Sequence, residues 1–184
     1  MGFRPARPKP ALPLLSCRQM NLGQFTEPKL LIPRLLSDRQ EGAIRELTKR
    51  LEASGRIRNA PGFVEAVLKR ETELPTFIEG VALPHARGAA VQRLSLAVGL
   101  STVGIPWAGN KGRGTAHAIF LFAVPLTEGQ VYLRVLSGLF GLIQDEPTLA
   151  ALMRTIRQEE MFNIMKTVRM VRSDCPAPAS GALV

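Results

Sequence analysis

The run Ala118–Val124, AIFLFAV, is apolar at every position. With no polar residue on either alternate face, it reads as a strand buried on both sides. Such a strand must lie inside a sheet that is covered by other elements on both faces. That requirement excludes an open sandwich with one wet face, and it demands helices elsewhere in the chain.

The helices are legible. Ser37 opens one, with Gln40 three residues on as a capping-box partner, and Ala43, Ile44, Leu47 and Leu51 mark its apolar face before Gly55 stops it. Pro61 suits the first turn of a second helix, predicted over Pro61–Arg70, with Phe63, Val64, Val67 and Leu68 on one face. Leu133, Leu136, Leu139, Phe140 and Ile143 have helical spacing. Asp145 and Pro147 start a further helix, and a last one follows Gln158. Strands are predicted at Val81–Leu83 and Leu94–Leu100, with GIPWAGNKGRG (104–114) as a glycine-rich connection to the buried run. Strands interleaved with helices on this scale predict a single α/β domain of three layers, a central mixed sheet flanked by helices on both faces.

Composition bounds the function. Hydrophobic residues at 46% and charged residues at 21% are ordinary for a globular domain. Aromatic residues are only 5%, too few for base-stacking platforms. The net charge of +9 is concentrated at the ends. Residues 1–19 hold Arg4, Arg7, Lys9 and Arg18 with no acid, and Arg169 and Arg172 outweigh Asp174. More than half of the excess therefore lies outside residues 20–168, and no groove-reading motif accompanies it, so nucleic acid is not the expected partner. No apolar run approaches the roughly 18 residues that span a bilayer, so no membrane insertion is expected. ALPLLSC (11–17) has the outline of a lipoprotein cleavage site, but its apolar part is short and interrupted by Pro13. Cys17 and Cys175 both lie near the ends, which fits a reduced, cytoplasmic protein. Residues 1–19 read as a disordered basic extension, 20–172 as the domain and 173–184 as a flexible tail. Met20 marks either the first ordered residue or the translation start itself.

The chemistry centres on GVALPHARG, residues 80–88, in which a strand runs into Pro84, His85 and Arg87. Histidine is the side chain whose ordinary pKa lies near neutrality. A lone histidine after a proline is by itself a loop residue. Here it stands in an ordered series: KRE (69–71), PTF (75–77), GVALPHAR (80–87), GIPW (104–107), AIFLFAVP (118–125) and YLRVLSGL (132–139). The series resembles the type-2 IIA domains of the phosphoenolpyruvate-dependent sugar phosphotransferase system, the fructose, mannitol and nitrogen-regulatory group, over roughly residues 20–168. The resemblance implies a mixed sheet flanked by helices. It also implies that His85 accepts a phosphoryl group from an HPr-like phosphocarrier and passes it to a separate IIB protein. No metal or organic cofactor is implied.

Elementary chemistry fits that role. A neutral imidazole is the nucleophile, and at an ordinary pKa roughly three-quarters of it is neutral at about pH 7. A nearby cation such as Arg87 raises that fraction. Pro84 fixes its own φ and holds Leu83 extended, setting how the ring leaves the strand. Arg70 matches a family position on the active-site surface. Its alternative role is that of a helix-end arginine bonding the last carbonyls, and the segment from Arg70 to His85 is one residue shorter than the family pattern.

One position departs from the family. Where many members carry a second active-site histidine, this chain has Tyr132, which can donate a hydrogen bond but carries no positive charge. Tyr132 reads equally as a packing residue. His117 does not replace the missing histidine, because from His117 to Pro125 the strand runs about 25 Å at roughly 3.3 Å per residue; it is read as structural. Two functions follow, a phosphohistidine relay and a regulatory module that keeps the fold and binds a transporter, kinase or other target according to phosphorylation.

Overall fold

The computed structural model describes residues 20–109 and 112–170. The expected extension 1–19, the tail 173–184 and both cysteines lie outside these residues. Six strands form one mixed sheet: β1 (Leu31–Ile32), β2 (Phe77–Ile78), β3 (Val81–Ala82), β4 (His85–Arg87), β5 (Ser95–Gly109) and β6 (Gly112–Val124). The order is β1-β5-β6-β3-β2, with β4 also on β6. Five helices accompany it: α1 (Gln40–Ala53), α2 (Ala60–Glu73), α3 (Gly129–Gln144), α4 (Glu146–Met153) and α5 (Gln158–Thr167).

The apolar run behaves as its composition requires. Ile119, Leu121 and Ala123 enter a core built with α1 and α2, while Ala118, Phe120, Phe122 and Val124 enter a second core built with α3, α4 and α5. All seven side chains are buried. The three-layer α/β architecture expected from the sequence is the one observed.

Several boundaries differ from the sequence reading, each for a local reason. Helix α1 starts at Gln40, not Ser37. The Ser37 hydroxyl is bonded to the Arg39 peptide, accepting from its N–H at 3.2 Å, so it caps a turn ahead of the helix. The helix end matches expectation: Gly55, at φ +66°, follows the last turn, with Arg56 N–H on the Leu51 carbonyl and Gly55 N–H on that of Glu52. Helix α2 begins at Ala60, where the Asn59 side chain accepts the Gly62 N–H at 3.0 Å, and it runs on to Glu73. In α3 the buried line is Val135, Leu139, Leu142 and Ile143, whereas Leu133 and Phe140 of the expected face are exposed. That helix has apolar residues around most of its circumference, so periodicity could not orient it.

The largest correction is at 104–114. The expected glycine-rich connection is instead the distal part of a long β-hairpin, with Ile105 opposite Ala116 and Trp107 opposite Gly114. Gly104, at φ +80°, lies in the register shift between Leu100 and Ile105, which lets the strand bend and resume. Trp107 is thereby fully buried against the α1–α2 layer.

The tight turn joining β2 to β3 is made by Glu79 and Gly80, with φ of +45° and +84°. Two consecutive positive φ values between paired Ile78 and Val81 define the hairpin turn for which Asn-Gly is preferred. Glutamate is disfavoured there by its Cβ. Glu79→Asn is therefore expected to stabilise the protein by about 0.5–1 kcal/mol, raising the melting temperature by roughly 1–4 °C. A calorimetric scan showing no increase would contradict the strain.

Candidate functional site

The residues 81–87 form, in register terms, one strand with a break. Val81 and Ala82 lie opposite Ala118 and Ile119, and His85, Ala86 and Arg87 lie opposite Phe122, Ala123 and Val124, all parallel and at one constant offset. Pro84 sits at the break, where it has no N–H to donate, yet its carbonyl accepts the Phe122 N–H at 2.9 Å. His85, expected at a strand's end, is thus not the loop residue that an isolated histidine after a proline would be. It begins a short strand pinned to β6, and alternation with Val81 and Leu83 turns it toward α3.

Across that gap stands Tyr132, in the first turn of α3, with the two rings 5.8 Å apart and tilted by 32°. Tyr132 is held edge-on against Phe122 at 5.4 Å. Its ring is both a packing residue and a neighbour of His85, and burial raises the pKa of its hydroxyl, with Arg70 opposing that rise. The phenol is therefore a neutral donor. Beside the pair lies a groove of about 250 Å³ lined by Leu74, Phe77, Leu83, His85, Tyr132 and Phe140, among others.

Nδ1 of His85 is 3.4 Å from the Leu83 carbonyl. A carbonyl only accepts, so Nδ1 carries the proton and Nε2 keeps its lone pair. Burial lowers the pKa of the ring; the Leu83 carbonyl works against this, Arg70 deepens the shift and Glu71 opposes it. The cation acting on His85 is thus Arg70, at the end of α2. Arg87 is turned elsewhere: its guanidinium donates to the Leu126 carbonyl and lies against Gly129, bracing the turn that leads into α3. His117 bonds the Ser101 carbonyl at 3.1 Å and stands roughly 17 Å along β6 from the Phe122 level.

Glu71 was missed. It is buried at 2% exposure and accepts the Trp107 indole N–H at 3.0 Å, the Thr76 N–H at 3.4 Å and the Thr76 hydroxyl. The signal was available, since Glu71 continues the apolar stripe Val64–Val67 by one more turn. Among the described residues, no cluster of three His, Cys, Asp or Glu is placed to hold a metal ion, and no helix is long and apolar enough to cross a membrane.

Fold and site together define a small α/β domain with one half-buried histidine that has a tyrosine beside it and feels the charge of an arginine. The chain belongs to the family described as phosphoenolpyruvate-dependent sugar phosphotransferase system, EIIA 2, whose model matches residues 24–168. It is 30% identical over 148 residues to the 2-O-alpha-mannosyl-D-glycerate-specific EIIABC component of the phosphotransferase system of Escherichia coli, covering 79% of this chain and 22% of that one. The chain thus spans about a fifth of that relative's length. Among solved structures it is similar to the nitrogen regulatory protein IIA-Ntr of Neisseria meningitidis, with a TM-score of 0.70 and 23% identity over 78% of this chain and 97% of the other. It is also similar to the Escherichia coli mannitol enzyme IIA in its complex with phosphorylated enzyme IIB, with a TM-score of 0.63 and 20% identity, covering 74% of this chain and 94% of the other.

Two outcomes follow from the geometry. Because the His85 pKa is lowered, the ring is neutral at about pH 7. Its titration, followed by the ring-proton shifts across pH, should have a midpoint below 6.5; a midpoint above 6.5 would contradict the burial effect. Arg87→Ala should loosen the start of α3, speeding amide hydrogen exchange in its first turn with little change in melting temperature. An unchanged exchange rate would reduce Arg87 to a surface residue.

Proposed function

We propose that this chain is a phosphohistidine relay, in which His85 takes a phosphoryl group from a phosphorylated HPr-like carrier and passes it to a IIB protein. The observation that carries the reading is the His85 ring itself: Nδ1–H is committed to the Leu83 carbonyl, so the remaining nitrogen is a neutral nucleophile. In the first step Nε2 bonds to phosphorus, and the donor's bond to phosphorus breaks with its electron pair returning to the donor. In the second, an acceptor on IIB attacks phosphorus and the pair of the N–P bond returns to Nε2. Transfer of this kind asks the protein mainly for positioning and for donors around the three equatorial oxygens. Arg70 supplies charge there and Tyr132 a neutral hydrogen bond. The reading places the chain in the cytoplasm, beside its carrier.

Tyr132 favours one further reading. A neutral donor stabilises the departing phosphoryl group less than an imidazolium, because charge-assisted hydrogen bonds are about twice as strong. A longer-lived phosphohistidine suits a regulator that is read by a transporter or kinase. One experiment addresses both readings. Incubation with phosphoenolpyruvate, enzyme I and HPr should give an acid-labile, base-stable phosphate that His85→Ala abolishes; full labelling of that variant would overturn the assignment. Tyr132→His should keep or speed transfer to IIB if the chain is a relay. If it is a regulator, the same substitution shortens the phosphohistidine lifetime with no transfer to IIB.

A further inference from the structure

Among the described residues, Glu71 is the only acidic side chain that is buried. Burying a carboxylate is unfavourable unless several donors meet it. Here three do, and they come from separate parts of the chain: the indole of Trp107 on the β5–β6 hairpin, and both the N–H and the hydroxyl of Thr76 in the segment before β2. The bonds continue past Thr76. Its carbonyl accepts the Leu83 N–H at 2.8 Å, and the Leu83 carbonyl in turn faces Nδ1 of His85. An unbroken series of hydrogen bonds therefore runs from the hairpin core to the imidazole.

The far half of this wall is held by the pairing of β2 with β3 and by the Phe77 ring packed on the core. Residues 74–78 line the groove beside His85, and their only regular structure is the two-residue strand β2. Leu74 and Ile78 are exposed. The anchor of the near half is the Glu71 carboxylate, which ties it to the fully buried Trp107.

We propose that Glu71 is a positioning residue for His85: by fixing Thr76, and through it the Leu83 peptide, it keeps the carbonyl in place that holds the ring with Nδ1 protonated and Nε2 free to react. The kinetic part of this inference rests on His85 being the phosphoryl acceptor, whereas the ring's tautomer does not. Both are measurable on the full-length chain labelled with nitrogen-15, where long-range proton–nitrogen correlations report which ring nitrogen bears the proton.

The native protein should show the Nδ1–H form. Glu71→Gln can still accept from Trp107 and can donate to the Thr76 hydroxyl, so it should keep that form and a phosphorylation rate within about twofold of the native one. Glu71→Ala should give a mixture of tautomers and a rate lower on the order of tenfold, the scale expected for a misplaced reacting group. If Glu71→Ala does not fold, as judged by its melting transition, Thr76→Val removes only the hydroxyl and should shift the tautomer in the same direction. Folded variants with the native tautomer and native rate would overturn the proposal. So would a Glu71→Gln variant as impaired as Glu71→Ala, since charge rather than position would then be at work. Native-like labelling of His85→Ala would remove the acceptor assignment and leave the tautomer result standing.

Discussion

The structure depends on the parallel pairing of residues 81–87 with β6. That pairing has one offset along its whole length, so the position of Val81 opposite Ala118 also decides the position of His85 opposite Phe122. β6 is packed on both faces by side chains that cannot shift by one residue without exchanging the two cores. A reactive ring attached to this strand inherits its rigidity. Pro84 allows the segment to be interrupted without losing register, because the residue that cannot donate is placed where its carbonyl alone is needed.

Around the ring, electrostatics and packing act together. Half-burial favours the neutral form of His85 and the Arg70 charge reinforces this, which is the form that the proposed relay needs. Tyr132 sets its ring beside that of His85 and at the same time packs edge-on against Phe122, the strand residue opposite His85. The packing of Tyr132 on Phe122 is compatible with the proposed part in the chemistry, because the same ring lies against His85.

Arg87 shows how a correct choice of residue type can carry the wrong geometry. It follows His85 by two, and in a strand that puts the two side chains on the same face, which favours the simple expectation of a nearby cation. The side chain instead reaches the carbonyl of Leu126, which the turn before α3 presents to it. Arg70 is distant in sequence and nearer in effect. The difference is set by where α2 ends relative to the sheet, a property of packing that no local spacing encodes.

The sequence by itself determined the layers and the central strand, because an unbroken apolar run has only one stable environment and amphipathic helices must cover it. It placed the start of α2 to within a residue through Pro61, and the end of α1 through Gly55, since helix ends are decided within a few residues. It also offered His85, Arg87, Arg70 and Tyr132 as candidates, through the family resemblance. Tertiary structure alone decided that GIPWAGNKGRG is a hairpin rather than a connection, because cross-strand pairing compensates a glycine content that local propensity penalises. It alone oriented α3, whose apolar residues surround most of the helix. And it alone brought Trp107, Glu71 and Thr76 together, a contact that exists only once the hairpin, the end of α2 and the segment before β2 have been packed into one place.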